Sequence, residues 1–230
     1  MADVTPTIVA QCHGIEVPDA PHFGPGMIKS MQDGRYERNE VRAGLAAIEP
    51  GARILELGAG SGIVGAVIAQ NCKPDKMLSV EANPELIEHI TRLYAHNQLS
   101  DVIEVRHGVV LTEPDPPSVI DFFLRGNFLG SALNVIKKPE KARKVQVPVM
   151  AYETLKAEFP HDVIVMDIEG AERAFFEHAD LDGVHMVILE VHRQIYGREG
   201  MQDLRRSFDR NGLVLDEEHS LPGVRVYARS

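Results

Sequence analysis

The chain is short of cysteine and of positive charge, and it has no long apolar run. Its two cysteines, Cys12 and Cys72 in 230 residues, give no disulfide framework, so the expected setting is reduced and cytoplasmic. No apolar stretch approaches the roughly 20 residues that span a bilayer. Met1 to Pro6 shows no basic segment followed by an apolar one. Neither a membrane span nor a secretory leader is expected. Lys and Arg number 24 against 34 Asp and Glu, a formal net charge of -10. A protein that neutralises many phosphates clusters an excess of basic residues. The basic stretch at 137–144 is interrupted by Pro139 and Glu140 and reads as a solvated loop. Nucleic acid is therefore not an expected partner.

What is present suits one globular unit. Hydrophobic residues make up 44% and charged residues 25%, ordinary values for a folded domain. Residues 1–33 carry Pro, Gly and His without a sustained period and read as an irregular N-terminal extension. Residues 34–230 read as a single domain. Apolar Val41, Leu45 and Ile48 stand at helical spacing, and Pro50-Gly51 stops that helix. Strands are then expected at Arg53 to Leu57, Met77 to Val80, Val102 to Arg106, Val163 to Met166, Val184 to Leu189, Leu213 to Leu215 and Val224 to Tyr227. Helices are expected between them, at Ile63 to Asn71, Pro84 to Asn97, Ala171 to His178 and Met201 to Arg210. Such alternation predicts an α/β fold, with a mostly parallel seven-stranded sheet and helices on both faces. Residues 112–149, with Pro114, Pro116 and Pro117, break the rhythm and read as an inserted hairpin or lid.

The first chemical signal is Glu56-Leu57-Gly58-Ala59-Gly60-Ser61-Gly62, at a strand-to-helix junction. Glycine there permits a tight turn and lets a ligand approach the backbone. The helix that follows offers free N–H groups. Glu81, in Glu81-Ala82-Asn83-Pro84, ends the next strand, where a carboxylate can accept from both hydroxyls of a ribose. The same loop also parses as Gly60-x-Gly62-x-x-Gly65, a weak nicotinamide-dinucleotide pattern. Against that parse, Glu56 would repel a pyrophosphate but can hold a cationic amino-acid end.

The second signal is Val163-Ile164-Val165-Met166-Asp167-Ile168-Glu169-Gly170-Ala171-Glu172, which puts three carboxylates at the end of a buried strand. Ligands of open α/β sheets bind outside the carboxyl ends of the strands. Glu169 and Glu172 also suit a helix N-terminus through its dipole.

Together these motifs resemble the FkbM-type family of class I S-adenosylmethionine-dependent methyltransferases. Asp-Ile-Glu-Gly-Ala-Glu is close to that family's most typical motif. Gly34-Arg35-Tyr36-Glu37, Pro50-Gly51, Gly130-Ser131-Ala132-Leu133, Val147-Pro148-Val149 and Ile188-Leu189-Glu190-Val191-His192 extend the resemblance over roughly 34–216. Two positions depart from it: Val165 stands where the family often has Lys, and Glu56 where its glycine motif often begins with Asp. The resemblance implies a Rossmann-like fold and S-adenosylmethionine as donor. It also implies O-methylation of a hydroxyl on a small metabolite or sugar. Donor-binding residues are then Glu56, Gly58, Ala59, Gly60, Ser61, Gly62, Glu81, Ala82, Asn83, His107, Gly108 and Asp167. The alternatives are an NAD-dependent oxidoreductase and a non-catalytic nucleotide-binding module of the same fold.

For catalysis the expected residues are Asp167, Glu169 and His192. Glu190 and His192 alternate to one face of an extended chain, and an imidazole titrates near neutral pH, as a base for a hydroxyl must. Asp167, Glu169 and His192 could also ligate a divalent ion. The Glu-Val-His spacing is too weak to specify one, and no metal is expected.

Overall fold

The structure, a computed structural model, describes residues 6–124 and 143–229. Its centre is a seven-stranded sheet of strands β3 (Arg53–Leu57), β4 (Lys76–Glu81), β5 (Ile103–His107), β9 (Val163–Met166), β10 (Met186–Glu190), β11 (Val214–Leu221) and β12 (Val224–Ala228). Their order is β11-β12-β10-β9-β3-β4-β5. The five strands from β10 to β5 run parallel, and β12 is antiparallel to both its neighbours. All four residues of β9 are buried, as expected for a strand covered on both faces.

The two faces carry different helices. Ile54, Val163, Val165 and Ile188 face α2 (Arg38–Ala47), α3 (Ile63–Cys72) and α4 (Pro84–His96). Leu55, Leu57, Ile164, Met166 and Leu189 face α5 (Tyr152–Glu158), α6 (Glu172–His178) and α7 (Arg193–Arg210). Alternation along each strand thus sorts its side chains between two cores. Glu56 lies on the first face, among apolar neighbours.

Residues 8–32 are not irregular throughout. β1 (Ile8–Cys12) and β2 (Ile15–Pro18) form an antiparallel hairpin, and α1 (Pro25–Gln32) follows. His13 and Gly14 both have positive φ at the turn, the geometry that suits a two-residue hairpin. Ala10, Cys12, Ile15 and Val17 turn inward and join the core beside α3 and α4. The hairpin forms because these inward residues bury against helices, although its outward positions are polar.

Two further expectations are amended. α7 consists of two helical pieces joined at Gly197, whose φ of 62° and ψ of -162° are not helical, so a short piece from Arg193 precedes the one that holds the expected Met201 to Arg210. β10 ends at Glu190, so His192 is not a strand residue but caps the start of α7.

β6 (Val109–Leu111), just before the inserted region, forms a sheet with β7 (Val119–Leu124) and β8 (Arg143–Ala151), in the order β6-β8-β7. β7 and β8 pair antiparallel, from Val119↔Pro148 to Leu124↔Arg143. The expected hairpin is therefore present. Residues 125–142, including Gly126 and the Gly130-Ser131-Ala132-Leu133 motif, lie outside the described residues.

Candidate active site

A cavity of about 390 Å³ runs along the carboxyl ends of β3, β4, β9 and β10, within the range of small-ligand sites. Gly58, Ala59, Gly60 and Ser61 form one wall. Glu81, Ala82, Gly108 and Val109 continue it, and Phe122 of the inserted hairpin faces in. Asp167, Glu169 and Glu190 stand with Tyr36, Glu37 and Glu40 around its other part.

The glycine loop is held from below. The N–H groups of Gly58 and Ala59 donate to Val80 O at 2.9 and 3.2 Å. Gly60 N–H donates to Glu81 Oε2 at 2.7 Å, and Asn83 N–H to Glu81 Oε1 at 2.7 Å. Glu81 thereby ties the loop to the start of α4, and each of its oxygens keeps lone-pair capacity. Tyr36 OH and Ser61 Oγ are 3.0 Å apart and join the loop to the segment before α2.

Gly58 has φ 86°, and a Cβ there would collide with the Asp167 carbonyl oxygen. The glycine loop and the Asp167 strand end can meet only if this residue has no side chain. Gly58→Ala is expected to lower stability by at least about 2 kcal/mol, combining the left-handed backbone penalty with that clash. A urea midpoint equal to wild type would contradict the tight contact.

Glu56 is buried, with Ser79 Oγ in hydrogen-bond contact with its carboxyl. A Cβ on Gly65 of α3 would lie 2.5 Å from Glu56 Oε2. Gly65 therefore makes room for a carboxyl between helix and strand, which explains the third glycine of the dinucleotide-like parse without a dinucleotide. Burial pushes the Glu56 carboxyl up to about 8, and it pushes Glu81 up to about 7.

These shifts have a sign. Over roughly pH 4.5–8 the folded protein keeps protons here that the unfolded chain has lost. The contribution to stability is thus fully present below the unfolded value and falls as pH rises through that window. Glu56→Gln, which mimics the protonated form, is expected to gain on wild type by about 3 kcal/mol between pH 5 and pH 8. Urea unfolding at the two pH values measures this. A pH-independent difference between the two proteins would contradict the buried, protonated carboxyl.

At the other part of the cavity four carboxylates surround one histidine. Asp167 follows β9, and its N–H donates to Leu57 O at 2.9 Å. Glu169 sits in the next turn with φ 54°. Glu190 ends β10. His192 Nδ1 lies 3.0 Å from Glu172 Oε1. Its Nε2 lies 3.4 Å from Glu169, 3.5 Å from Glu190 and 3.8 Å from Asp167. The backbone N–H of His192 donates to Tyr196 OH at 2.8 Å, anchoring the main chain at this point. Burial disfavours the imidazolium, but hydrogen bonds to Glu169 and Glu172 and the charges of Glu172 and Asp167 outweigh it. His192 is raised to about 11. Burial raises Asp167 well above the usual carboxylate range, and the nearby Glu190 and Glu169 charges raise it further. Burial, followed by the charges of Glu40, Glu190 and Glu169, raises Glu37 to about 7.

The sequence-expected residues divide accordingly. Glu56, Gly58, Ala59, Gly60, Ser61, Glu81, Ala82, Gly108, Asp167 and Glu169 border the cavity. Gly62, Asn83, His107 and His192 do not. Gly62 turns the chain into α3 with φ 76°. The Asn83 side chain accepts from Glu85 N–H and caps α4. His107 Nε2 lies 3.2 Å from Ala82 O. His192 stands behind the carboxylates with 5% exposure. Tyr36, Glu37, Glu40 and Glu190 border the cavity without having been among the expected site residues. Glu190 could have been found from its strand-end position; Tyr36 and Glu37 come from the segment just before α2, and Glu40 from α2 itself.

Residues 56–215 match the family described as the Methyltransferase FkbM domain. The chain belongs to the FkbM methyltransferase family. As a member it is an S-adenosylmethionine-dependent methyltransferase, and the oxidoreductase and non-catalytic alternatives are set aside. No curated protein matches the chain. Among solved structures it is similar to a protein of the NADB-Rossmann superfamily from Streptococcus agalactiae, at 14% identity and TM-score 0.51, covering 83% of this chain and 68% of that one. An uncharacterized protein from Listeria monocytogenes is 18% identical at TM-score 0.51, covering 83% and 66%. TYW2 of P. horikoshii, solved in complex with MeSAdo, is 15% identical at TM-score 0.50, covering 93% and 66%. At these identities the likeness shows the Rossmann-like fold. This FkbM chain spans about two thirds of the length of those chains. Among its described residues no helix is long and apolar enough to cross a membrane.

Proposed function

We propose that this methyltransferase O-methylates a hydroxyl on a small metabolite or sugar. The observation that carries the reading is the division of one cavity into two chemically different ends. The glycine-loop end offers backbone, the Glu81 carboxyl and an apolar slot at Ala82, Val109 and Phe122. These fit a ribose and an adenine. The Glu56 carboxyl borders the same space, and an ammonium group beside it would favour its ionised form. In this reading Glu56 to Ser61, Glu81, Ala82 and Gly108 hold the donor. Gly62, Asn83 and His107 support them from behind.

The other end is the acceptor end, with Asp167, Glu169 and His192 as its working group. S-adenosylmethionine supplies a methyl group made electrophilic by the sulfonium. The chain's own residues hold the acceptor oxygen in line with the S–CH₃ bond. A carboxylate of the cluster takes the hydroxyl proton as the O–CH₃ bond forms. The S–CH₃ electron pair stays on sulfur as a neutral thioether. A carboxyl raised by burial, such as Asp167, is better matched to this proton transfer than an ordinary one. His192, held as imidazolium in the free protein, orients the carboxylates. The five carboxylates of this end that border the cavity repel phosphates, which favours a small acceptor over a nucleic acid.

Incubation with methyl-labelled S-adenosylmethionine and a library of hydroxylated metabolites tests the reading. Label in a methyl ether is the expected result. Label appearing only on nitrogen or only in RNA would overturn it.

A further inference from the structure

The carboxylate–histidine cluster holds more negative charge than its histidine can offset, and its geometry is that of a ligand set. We propose that Asp167, Glu190 and His192 bind a divalent cation, Mn²⁺ or Mg²⁺, at the acceptor end of the cavity.

Three observations meet here. First, one Asp oxygen, one Glu oxygen and one His nitrogen all lie within 4.8 Å of one another. Ligand atoms at about 2.0–2.2 Å from a common ion fall within such a span. Second, Asp167 Oδ1 is sealed from solvent and has no hydrogen-bond partner among the described residues. An oxygen of Glu190 lies within 4.8 Å of an oxygen of Asp167. Two carboxylate oxygens that close repel each other unless a cation stands between them. Third, the back of the histidine is already fixed. Glu172 is fully buried, and its Oε1 pairs with His192 Nδ1 while also accepting from Gly170 N–H at 3.1 Å. A carboxylate behind a histidine sets the tautomer and turns the other nitrogen towards a metal. His192 Nε2 is that other nitrogen, and it faces Glu190 and Asp167.

A salt bridge alone explains this less well. One imidazolium needs one carboxylate, or two with good hydrogen bonds, whereas four crowd this ring. Asp167, Glu169 and Glu190 remain 33–34% exposed, but their like charges converge on one point of the cavity, where a cation would offset them. The oxygen-rich set with one imidazole suits a hard ion rather than a thiophilic one. Glu169, 3.4 Å from Nε2, is then free to accept a proton from a hydroxyl bound at the ion. The ion's role at the acceptor rests on the function proposed above; its presence does not.

The test uses the full chain, freed of metal with a chelator. Mn²⁺ is added alone and followed by calorimetry and by the loss of free-ion paramagnetic resonance. Wild type is expected to bind one Mn²⁺ saturably, and Mg²⁺ to compete. Glu190→Gln and His192→Gln are each expected to bind at least about tenfold more weakly. S-adenosylhomocysteine affinity, measured on the same samples, reports folding and donor binding separately. If His192→Gln does not fold, Glu190→Gln decides. No saturable Mn²⁺ binding by wild type, or equal binding by a folded Glu190→Gln, overturns the metal site and leaves the methyltransferase reading standing. Mn²⁺ binding without any S-adenosylhomocysteine binding supports the site and counts against its placement beside a donor.

Discussion

Glu81→Ala is expected to weaken S-adenosylhomocysteine binding by roughly 10- to 150-fold, the equivalent of about 1.5–3 kcal/mol for a lost charge-assisted pair. The carboxyl ends β4 with only 7% exposure, so little water competes for it. It already accepts from Gly60 and Asn83 N–H groups, and two losses therefore add in the variant. The ribose hydroxyls lose their acceptor, and the loop that must stand close to the ligand loses its anchor. Glu81→Gln should fall between the two, since an amide oxygen still accepts but carries no charge. Calorimetric titration of the three proteins gives the comparison. Wild-type affinity in Glu81→Ala would show that this carboxyl does not hold the ribose.

The second large effect is expected at His192. His192→Gln should lower turnover by about 10- to 100-fold, the usual cost of losing a residue that orients the working groups from behind. S-adenosylhomocysteine affinity should stay within about threefold, because the loss falls on the transition state rather than on donor binding. His192 sits behind the cavity, so any effect of the substitution on turnover passes through Asp167, Glu169 and Glu190. A structural role alone would lower stability and donor affinity together. Normal kcat in a folded variant would remove His192 from catalysis.

Much of the fold is legible because the parallel strands are short apolar runs with helices between them. Val163 to Met166 is the clearest case: four apolar residues, a carboxylate, then a turn. The N-terminal hairpin is not, because its strands are four and five residues long and mix polar with apolar positions. Its signal was the Gly14 turn between two short alternating runs. The start of α7 is hidden by Gly197 and Gly200, which weaken the helical pattern over its first turns.

The site follows the same logic. Strand ends announce Glu56, Glu81 and Asp167, since each is an acidic residue at or near the end of a buried run. The nearness of Glu190 to Asp167 depends on the β9–β10 register, where Leu189 pairs with Met166. No single strand carries that register. Tyr36, Glu37 and Glu40 come from a segment far away in sequence that reaches the cavity only when α2 packs on the sheet. Glu172 reads as a helix-start acid, and only the fold shows it sealed against His192.

The most direct test of the central claim is donor binding by the wild-type chain. Calorimetry with S-adenosylhomocysteine should give one site per chain. Unfolding in its presence should show a stabilisation of about 2.7 kcal/mol at a hundredfold excess over Kd. NAD at the same concentration should give neither signal. Binding of NAD with no response to S-adenosylmethionine or S-adenosylhomocysteine would contradict the account.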